Sequence, residues 1–262
     1  MDEPDETQTE EWQRHQHAMK KRLILDDSFH WRIPTAATGP LDDGRPALTR
    51  VGGVDLSFFK EDPSRAVAAL VVLDFDTLEV VYERCREVEL NVPYMPGYLA
   101  FREAPPLAAL IEDMKATSDE SVWPQLLLVD GNGILHPRGF GLACHLGLLV
   151  DIPTVGVSKN IHTVDGITRE VARELASRHL TTAPSHHLLK GDTRGVLGAI
   201  YRPTDDATVP LIVSCGHRVS LDTALKILPH LSKHRVAEPI RQADIRSRAM
   251  VRRLANKAAE TE

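Results

Sequence analysis

Cysteine, aromatic residues and long apolar runs are all scarce in this sequence. Only three of its 262 residues are cysteines, and they lie far apart. This favours a reducing intracellular setting, with the cysteines as core residues, over a disulfide framework. No apolar run approaches the ~18 residues of a membrane span, and the first dozen residues are acidic rather than basic and then apolar. The sequence therefore predicts a soluble, unsecreted chain with no membrane partner.

An excess of positive charge is also lacking. The formal net charge of -6 argues mildly against a nucleic-acid partner, because phosphate binding usually leaves a basic footprint. Much of the negative charge lies in residues 2–11, before the first predicted strand, and the remainder is near neutral. Net charge therefore decides little. The basic stretches 233–235 and 246–253 are compatible with phosphate contacts, although such clusters are more often solvated helix faces.

The chain is long enough for one large α/β domain, and nothing at mid-chain is typical of a linker. Residues 1–45 lack strand periodicity, which predicts an acidic, partly ordered arm with a helix over about 10–25. The main domain is predicted over 46–252, and a C-terminal tail over 253–262.

Periodicity within the main domain predicts an antiparallel meander followed by helix and parallel strand. Strand-like runs cover 50–58, 66–75 and 78–90. A helix follows through about 116, with Pro105 and Pro106 in its first turn. The continuous apolar run 125–130 is typical of a central parallel strand. Further predicted elements are helix 139–149, strand 153–157, helix 169–178, a hairpin of 195–201 with 211–215, and helices from about 221 and 239.

Three acidic residues, Asp55, Glu103 and Asp130, each lie where an apolar stretch meets a turn or a helix start. A right-handed crossover can place the strand that ends at Asp130 beside the strand that holds Asp55. Carboxylates at one sheet edge can then converge on divalent cations. An isolated Asp-Gly is more often a cap or a turn, but three such acids together favour a metal site.

Several short segments between residues 50 and 248 resemble one known family. They are Pro93-Tyr94-Met95-Pro96-Gly97-Tyr98-Leu99-Ala100-Phe101-Arg102-Glu103, Asp130-Gly131-Asn132-Gly133, His136-Pro137-Arg138, Gly141-Leu142-Ala143 with His145, Gly156-Val157-Ser158-Lys159, and Gly216-His217-Arg218-Val219. With them the sequence resembles the endonuclease V family. These nucleases have a ribonuclease H-like fold, recognise hypoxanthine, the base of inosine, and cut the strand a nucleotide beyond it.

The resemblance implies an α/β, ribonuclease H-like fold with a central mixed β-sheet flanked by helices. It also implies that Asp55, Glu103 and Asp130 bind Mg²⁺, with Mn²⁺ as a substitute, because both ions prefer hard oxygen ligands. One metal would activate the attacking water and another would stabilise the leaving 3′ oxygen, which leaves a 5′-phosphate and a 3′-hydroxyl. Asp244 occupies a position where some members have histidine. It is a fourth candidate ligand or a solvated helix acid.

Base recognition is assigned by the same resemblance to the loop 93–99 and to three downstream glycines. Tyr94, stiffened by Pro93 and Pro96, would fill the gap left when the target base swings out. Glycines would let the backbone approach the flat base, and leucines would form apolar walls. Without the family, a surface turn with a packed tyrosine and ordinary turn glycines would be the interpretation. The candidates are Gly97, Gly131, Gly133 and Gly141, with Leu99 and Leu142.

Phosphate contacts are expected from Lys159 and Arg102, which are candidates for stabilising the transition state. His136 and His145 are candidates for orienting phosphate or water. His145 could equally be a hydrogen-bonded core residue, and the role of His217 stays open. The adjacent pair at 186–187 has no motif around it and is interpreted as a plain surface loop.

The preferred hypothesis is a metal-dependent endoribonuclease that cleaves single-stranded RNA at the second phosphodiester bond 3′ to inosine. The stretches 191–195 and 214–218 look closer to the eukaryotic branch of the family, which prefers inosine in RNA. Two alternatives stay open. One is a deoxyinosine 3′ endonuclease in DNA repair, and the other is a non-catalytic inosine-RNA binding protein, which clustered carboxylates argue against. The branch also implies a cytoplasmic location, with a nuclear or nucleolar pool as an alternative.

Overall fold

A computed structural model of the chain describes residues 6–34, 44–93 and 95–259. Within these ranges the chain forms six α-helices and eight strands. The helices are α1 (Glu6–Lys20), α2 (Leu99–Thr117), α3 (Leu142–Val150), α4 (Arg169–His179), α5 (Leu221–Leu231) and α6 (Glu238–Ala259). The strands are β1 (Arg50–Phe58), β2 (Arg65–Asp74), β3 (Val80–Glu89), β4 (Leu126–Asp130), β5 (Thr154–Ser158), β6 (Ser185–Gly191), β7 (Gly195–Arg202) and β8 (Leu211–His217).

All eight strands belong to one mixed sheet in the order β3-β2-β1-β4-β5-β8-β7-β6. The first three strands form the antiparallel meander that their periodicity predicts. The crossover through α2 then places β4 parallel to β1, with Val54 opposite Val129. Asp55 and Asp130 follow these two residues, so they lie at the same edge of the sheet. The predicted α/β, ribonuclease H-like fold with a mixed sheet flanked by helices is confirmed.

Strand β4 forms the centre of the core because it is buried on both faces. Leu126 and Leu128 pack on the side of α5, whereas Leu127 and Val129 pack on the side of α2 and α3. All four side chains are at most 1% exposed. Full burial of such a side chain contributes roughly 1.5–3 kcal/mol, so the strand that carries Asp130 is rigidly held.

Two helices begin at other residues than the sequence predicts. Helix α2 begins at Leu99, so Pro105 and Pro106 lie inside it, and their prediction as first-turn residues is wrong. Three residues ahead of the prolines are buried, and this packing outweighs the roughly 3 kcal/mol that an interior proline costs. Helix α3 begins at Leu142 rather than Gly139, because Gly139 takes a left-handed conformation with φ 66°.

Strand β6 is absent from the predicted elements. It pairs antiparallel with β7 at the end of the sheet, so His186 and His187 lie on a strand and not on a loop. The ring of His187 stacks on His179 of α4, with 4.0 Å between ring centroids. Only two residues of β6 are fully buried, and this mostly exposed edge strand gives little apolar periodicity.

The first and last helices differ from the predicted arm and tail: α1 packs against the main domain, and α6 extends further than predicted. Helix α1 ends at Lys20, and its Trp12 ring stacks on Phe101 with 5.6 Å between centroids. Helix α6 continues to Ala259 and therefore includes residues 253–259. The three cysteines are free thiols, as expected, and two are buried. Among the described residues, none of the helices combines the length and hydrophobicity needed to cross a bilayer.

Candidate active site

The three acids singled out in the sequence line one cavity of about 210 Å³. Asp55 comes from β1, Asp130 ends β4, and Glu103 lies in the second turn of α2. The remaining lining side chains are apolar: Val54, Leu56, Phe58, Leu107 and Leu142. Since both strands and the helix are anchored in the core, the three carboxylates are held around one small pocket.

Burial controls the charge of two of these acids. Burial raises the pKa of Asp55 to about 6, and the negative charges of Asp130 and Asp244 add to the rise. A hydrogen bond that Ser247 Oγ donates to Asp55 Oδ2 at 2.7 Å opposes it. Burial likewise raises the pKa of Glu103 to about 7. These acids therefore resist ionisation together unless a cation lies between them.

One cation is supplied by the chain itself. Lys159, the residue after β5, places its Nζ 2.8 Å from Asp130 Oδ2. A hard divalent cation fits the rest of the donor set, because carboxylate oxygens are its preferred ligands and its charge would offset their repulsion. Across the described ranges, no group of three or more His, Cys, Asp or Glu side chains is already arranged to hold a metal ion. Binding would therefore require the side chains to turn toward a common point.

Asp244 lies on α6 near this cavity but outside its lining. Its Oδ1 forms an ion pair with Arg248 Nε, which lies 2.7 Å away and one helical turn further along. Its negative charge still contributes to the raised pKa of Asp55. Asp244 is thus close enough to influence the charge of Asp55. Its ion pair with Arg248 is also what a solvated acid on a helix would make, so its role as a metal ligand stays a prediction.

The predicted base-recognition loop forms a tight turn before α2. Tyr94 lies outside the described residues, Pro93 is half-buried and Pro96 is exposed. Tyr98 N donates to Met95 O at 3.0 Å, and Gly97 adopts φ 85°. A side chain at Gly97 would also collide with the Arg138 guanidinium, which lies over the Tyr98 ring at 4.0 Å. Glycine is therefore required here by conformation and by space.

The glycines after β4 are explained mainly by packing within the chain. Gly133 N donates to Ser214 Oγ at 2.8 Å, and Gly141 N donates to Gly133 O at 3.0 Å. A Cβ at either glycine would overlap a backbone carbonyl. Gly131 instead faces Leu142, which lines the carboxylate cavity. Of the predicted walls, Leu142 borders this cavity, whereas Leu99 does not line it.

Arg102 and His145, the predicted phosphate contacts, are both buried in this structure. Arg102 is 5% exposed and donates to the Pro63 carbonyl, so its guanidinium is used to hold a loop. His145 is 4% exposed and packs edge-on against Phe101. Burial lowers the pKa of His145 to about 4, which keeps it neutral. Both side chains serve the packing of α2 and α3 in this structure, and their phosphate contacts stay predictions.

The other two histidines make structural contacts. His136 is 8% exposed, and its Nδ1 accepts a hydrogen bond from Arg138 N at 3.2 Å. Burial lowers the pKa of His136 to about 4, so a contact with phosphate would come from a neutral ring. His217 Nδ1 accepts from Ile24 N at 3.3 Å, which ties the segment after α1 to β8. The catalytic role of His136 stays a prediction.

Comparison with known proteins identifies the family that shares this site. The family model of Endonuclease V matches residues 37–245. The chain is 44% identical to human Endonuclease V over 250 residues, which is 95% of this chain and 86% of the relative. The chain belongs to the Endonuclease V family. It is therefore an endonuclease, an enzyme that hydrolyses phosphodiester bonds inside a strand.

Two solved structures of Endonuclease V have the same fold. The catalytic domain of human Endonuclease V is 43% identical, with a TM-score of 0.89, covering 97% of this chain and 99% of that one. Endonuclease V of Ciona intestinalis is 31% identical, with a TM-score of 0.83, covering 95% of this chain and 100% of that one. The Ciona protein was solved with a 24mer DNA that contains an inosine followed by a ribo-adenosine.

Sequence reasoning missed the contribution of α1 to this Endonuclease V site. Gln16 is 2% exposed, and its Nε2 donates to Phe140 O at 3.0 Å and to Gly97 O at 3.3 Å. Lys20 Nζ donates to Arg138 O at 3.0 Å. The helix therefore joins the turn before α2 to the loop before α3. The spacing of Trp12, Gln16 and Lys20 on one helical face was the available signal.

Four buried polar atoms near these loops have no hydrogen-bond partner among the described residues. Buried polar groups in folded proteins are nearly always paired, so such a cluster calls for an explanation. The residues belong to one contact network: Phe101 packs on Tyr98 and His145, and the Gln16 amide reaches the loop that carries Phe140. The atoms are Gln16 Oε1, Tyr98 OH, Asn132 Oδ1 and His145 Nδ1.

Proposed function

We propose that this chain is a metal-dependent endonuclease that cleaves single-stranded RNA at the second phosphodiester bond 3′ to inosine. The observation that carries the proposal is the convergence of Asp55, Glu103 and Asp130 on one cavity beside Lys159. A non-catalytic reader of inosine would gain nothing from three acids that repel phosphate. An endonuclease gains a site for a cation.

In this mechanism Asp55, Glu103 and Asp130 would hold Mg²⁺, with Mn²⁺ as a substitute. Lewis-acid activation of phosphodiester hydrolysis would come from the bound ion. Lys159 donates from Nζ to a phosphate oxygen and stabilises the charge that develops there. A water oxygen forms the new bond to phosphorus and the bond to the 3′ oxygen breaks. The water loses a proton and the 3′ oxygen gains one, which leaves a 5′-phosphate and a 3′-hydroxyl.

Recognition of inosine is assigned to unpartnered polar atoms in the turn before α2 and in the loop before α3. Hypoxanthine presents a carbonyl acceptor at O6 and a donor at N1, so it can pair with both a hydroxyl and an amide oxygen. Tyr98 OH and Asn132 Oδ1 are groups of these two kinds, and because both atoms are buried, the two loops would have to move apart to admit the base. Leu142, which packs against Gly131, would supply an apolar wall. The extra 2-amino group of guanine would need a further acceptor or more room.

The nucleic acid bound to the Ciona relative favours RNA over DNA as the natural substrate. In that ligand the nucleotide directly after inosine is a ribonucleotide. Its 2′-hydroxyl belongs to the nucleotide that precedes the second phosphodiester bond, where a site can use it to tell RNA from DNA. The remainder of that ligand is DNA, so deoxyinosine cleavage in DNA repair is the second candidate. We place the enzyme in the cytoplasm, with a nuclear pool as the alternative location.

The test is cleavage of two end-labelled single strands of one sequence, RNA and DNA, each with one inosine. The reactions contain Mg²⁺ or a chelator, and a guanosine strand serves as control. A metal-dependent cut one nucleotide beyond inosine, faster in RNA, supports the proposal. Faster cutting of DNA supports the repair enzyme, and retention without cutting supports a reader.

Variants connect that activity to the carboxylates. Asp55→Asn and Asp130→Asn are expected to lower kcat by at least about 10³-fold while the strand still binds, because they remove cation ligands. Asp222→Asn, which removes an acid exposed on α5, is the matched control. Full activity of either site variant would refute the assignment.

A further inference from the structure

A second, larger cleft adjoins the carboxylate cavity. It has a volume of about 560 Å³ and lies between α4 and the segment 205–212. Lys159 connects the two spaces, because it lines the cleft while its ammonium contacts Asp130. The volume lies within the ~300–1,000 Å³ of typical small-ligand pockets. The cleft is therefore large enough for one nucleotide.

One wall of the cleft is a single face of α4. Its residues recur every three or four positions, which places them in one line along the helix. This wall ends on buried Leu180, and buried Ile212 of β8 also lines the cleft. Val209 is 51% exposed and supplies apolar surface from the segment after β7. The α4 residues are Arg169, Ala172, Arg173, Ala176 and Ser177.

The cleft is bordered by exposed positive charge. Arg169 and Arg173 are exposed, and neither makes an ion pair or hydrogen bond within the described part of the chain, although both lie close enough to Glu170 to help lower its pKa. Arg202, by contrast, donates to the carbonyls of Leu180 and Asp205 and serves the fold. Asp205 is the one acid among the described lining residues. Free guanidinium groups above an apolar surface match a phosphate attached to a flat base.

We propose that this cleft binds one nucleotide of the substrate strand that flanks the cleavage site. Its phosphate contacts Arg169 and Arg173, and its base or sugar lies against the apolar lining near Val209. The proposal rests on the proposed function, because it takes the strand to cross the carboxylates beside Lys159. A strand that passes Lys159 reaches the cleft without leaving the surface, since Lys159 lines it. The established family activity needs no such second site.

The test compares two double variants of the full chain. Arg169→Gln/Arg173→Gln removes the two cleft charges. Arg178→Gln/Lys190→Gln removes two exposed charges outside the cleft, on α4 and β6, and is the matched control. Binding of inosine-containing RNA is measured by fluorescence anisotropy in chelator, so the result does not depend on turnover. Cleavage with Mg²⁺ is measured beside it, and both use strands shortened one nucleotide at a time from either end.

The cleft variant is expected to raise Kd and KM on long strands by about 10-fold, with kcat within about 2-fold. The salt dependence of log Kd should become shallower by about 1.4, since each single-strand phosphate contact contributes about 0.7. Once the strand is too short to reach the cleft, wild type and cleft variant should converge. The end whose shortening produces convergence identifies the side of the cut.

A variant that leaves charge untouched tests the apolar surface. Val209→Ser should weaken binding of strands with a complete base at the cleft position and leave binding of the same strand with an abasic nucleotide there unchanged. Equal Kd values for wild type and cleft variant at every length, or an equal loss at every length, would overturn the proposal. Failure of the wild-type chain to cut at inosine would instead refute the proposed function, because binding is measured separately.

Discussion

Replacement of Glu103 by glutamine should stabilise the metal-free protein at neutral and alkaline pH. Glu103 lies in the carboxylate cavity, and burial raises its pKa from the ordinary 4.5 to about 7. Its ionised form is therefore destabilised in the folded chain relative to the unfolded chain. Glutamine has nearly the same shape and no charge, so Glu103→Gln removes this cost while it keeps the packing of α2.

The sign and size follow from linkage between protonation and folding. A carboxyl whose pKa is raised in the folded state leaves the stability unchanged at pH values below its unfolded pKa. As the pH rises from there toward the folded pKa, the carboxyl lowers the stability more and more. A rise from 4.5 to about 7 corresponds to roughly 3 kcal/mol in the free energy of unfolding above pH 7. The variant should thus match wild type near pH 4.5 and exceed it by up to this amount at pH 8.

The measurement is urea unfolding of wild type and variant in chelator from pH 4.5 to 8. Glu112→Gln is the control, because Glu112 lies on the same helix with its side chain 60% exposed. Added Mg²⁺ should stabilise wild type and should stabilise Glu103→Gln much less, since the variant lacks a carboxylate ligand. Identical pH dependence of stability in wild type and Glu103→Gln would refute the argument that burial destabilises the ionised Glu103 carboxylate.

Three further predictions concern residues around the cavity. Lys159→Ala should lower kcat by about 10²–10³-fold in single-turnover cleavage, and it should weaken RNA binding by less than 10-fold in fluorescence anisotropy. A kcat within about 3-fold of wild type would exclude a catalytic role of Lys159 beside Asp130. Gln16→Leu should reduce the inosine-to-guanosine ratio of kcat/KM by about 10-fold, because the Gly97 carbonyl loses its donor. An unchanged ratio would mean that α1 stabilises the fold and has no effect on base selectivity. His145→Phe should keep cleavage within about 3-fold and raise the free energy of unfolding by about 1 kcal/mol, and a larger activity loss would restore its predicted phosphate role.

The sheet and the position of the acids could be predicted because each rests on a strong local pattern. The run Leu126–Asp130 is continuously apolar up to its final acid, and burial on both faces is what that pattern indicates. Crossover rules then place Asp130 beside Asp55. Strand β6 and the true start of α2 could not be predicted in the same way. Burial along β6 alternates with period 2, but its less exposed positions include Ser185 and His187, so the sequence shows no apolar alternation. In α2, tertiary packing overrides the proline signal.

The burial of Arg102 and His145 could not be predicted, because burial is not a property of the motifs that contain them. Both lie in segments that the resemblance marks as functional. The structure shows that their side chains turn into the protein, toward the Pro63 carbonyl and the Phe101 ring. A segment can thus be shared by a whole family for the backbone and the acid it delivers, here Glu103, while its neighbours support the fold.

The opposite case is α1, which the sequence suggested was a loosely attached arm. Its Gln16 amide holds the Gly97 and Phe140 carbonyls, which belong to the two loops on either side of the proposed base pocket. A shift of α1 would move both loops at once, because one side chain spans them. A pocket that must separate hypoxanthine from guanine by a single amino group depends on the spacing of its walls. We therefore expect α1 to affect the choice between inosine and guanosine, and the kcat/KM ratio of Gln16→Leu measures that effect.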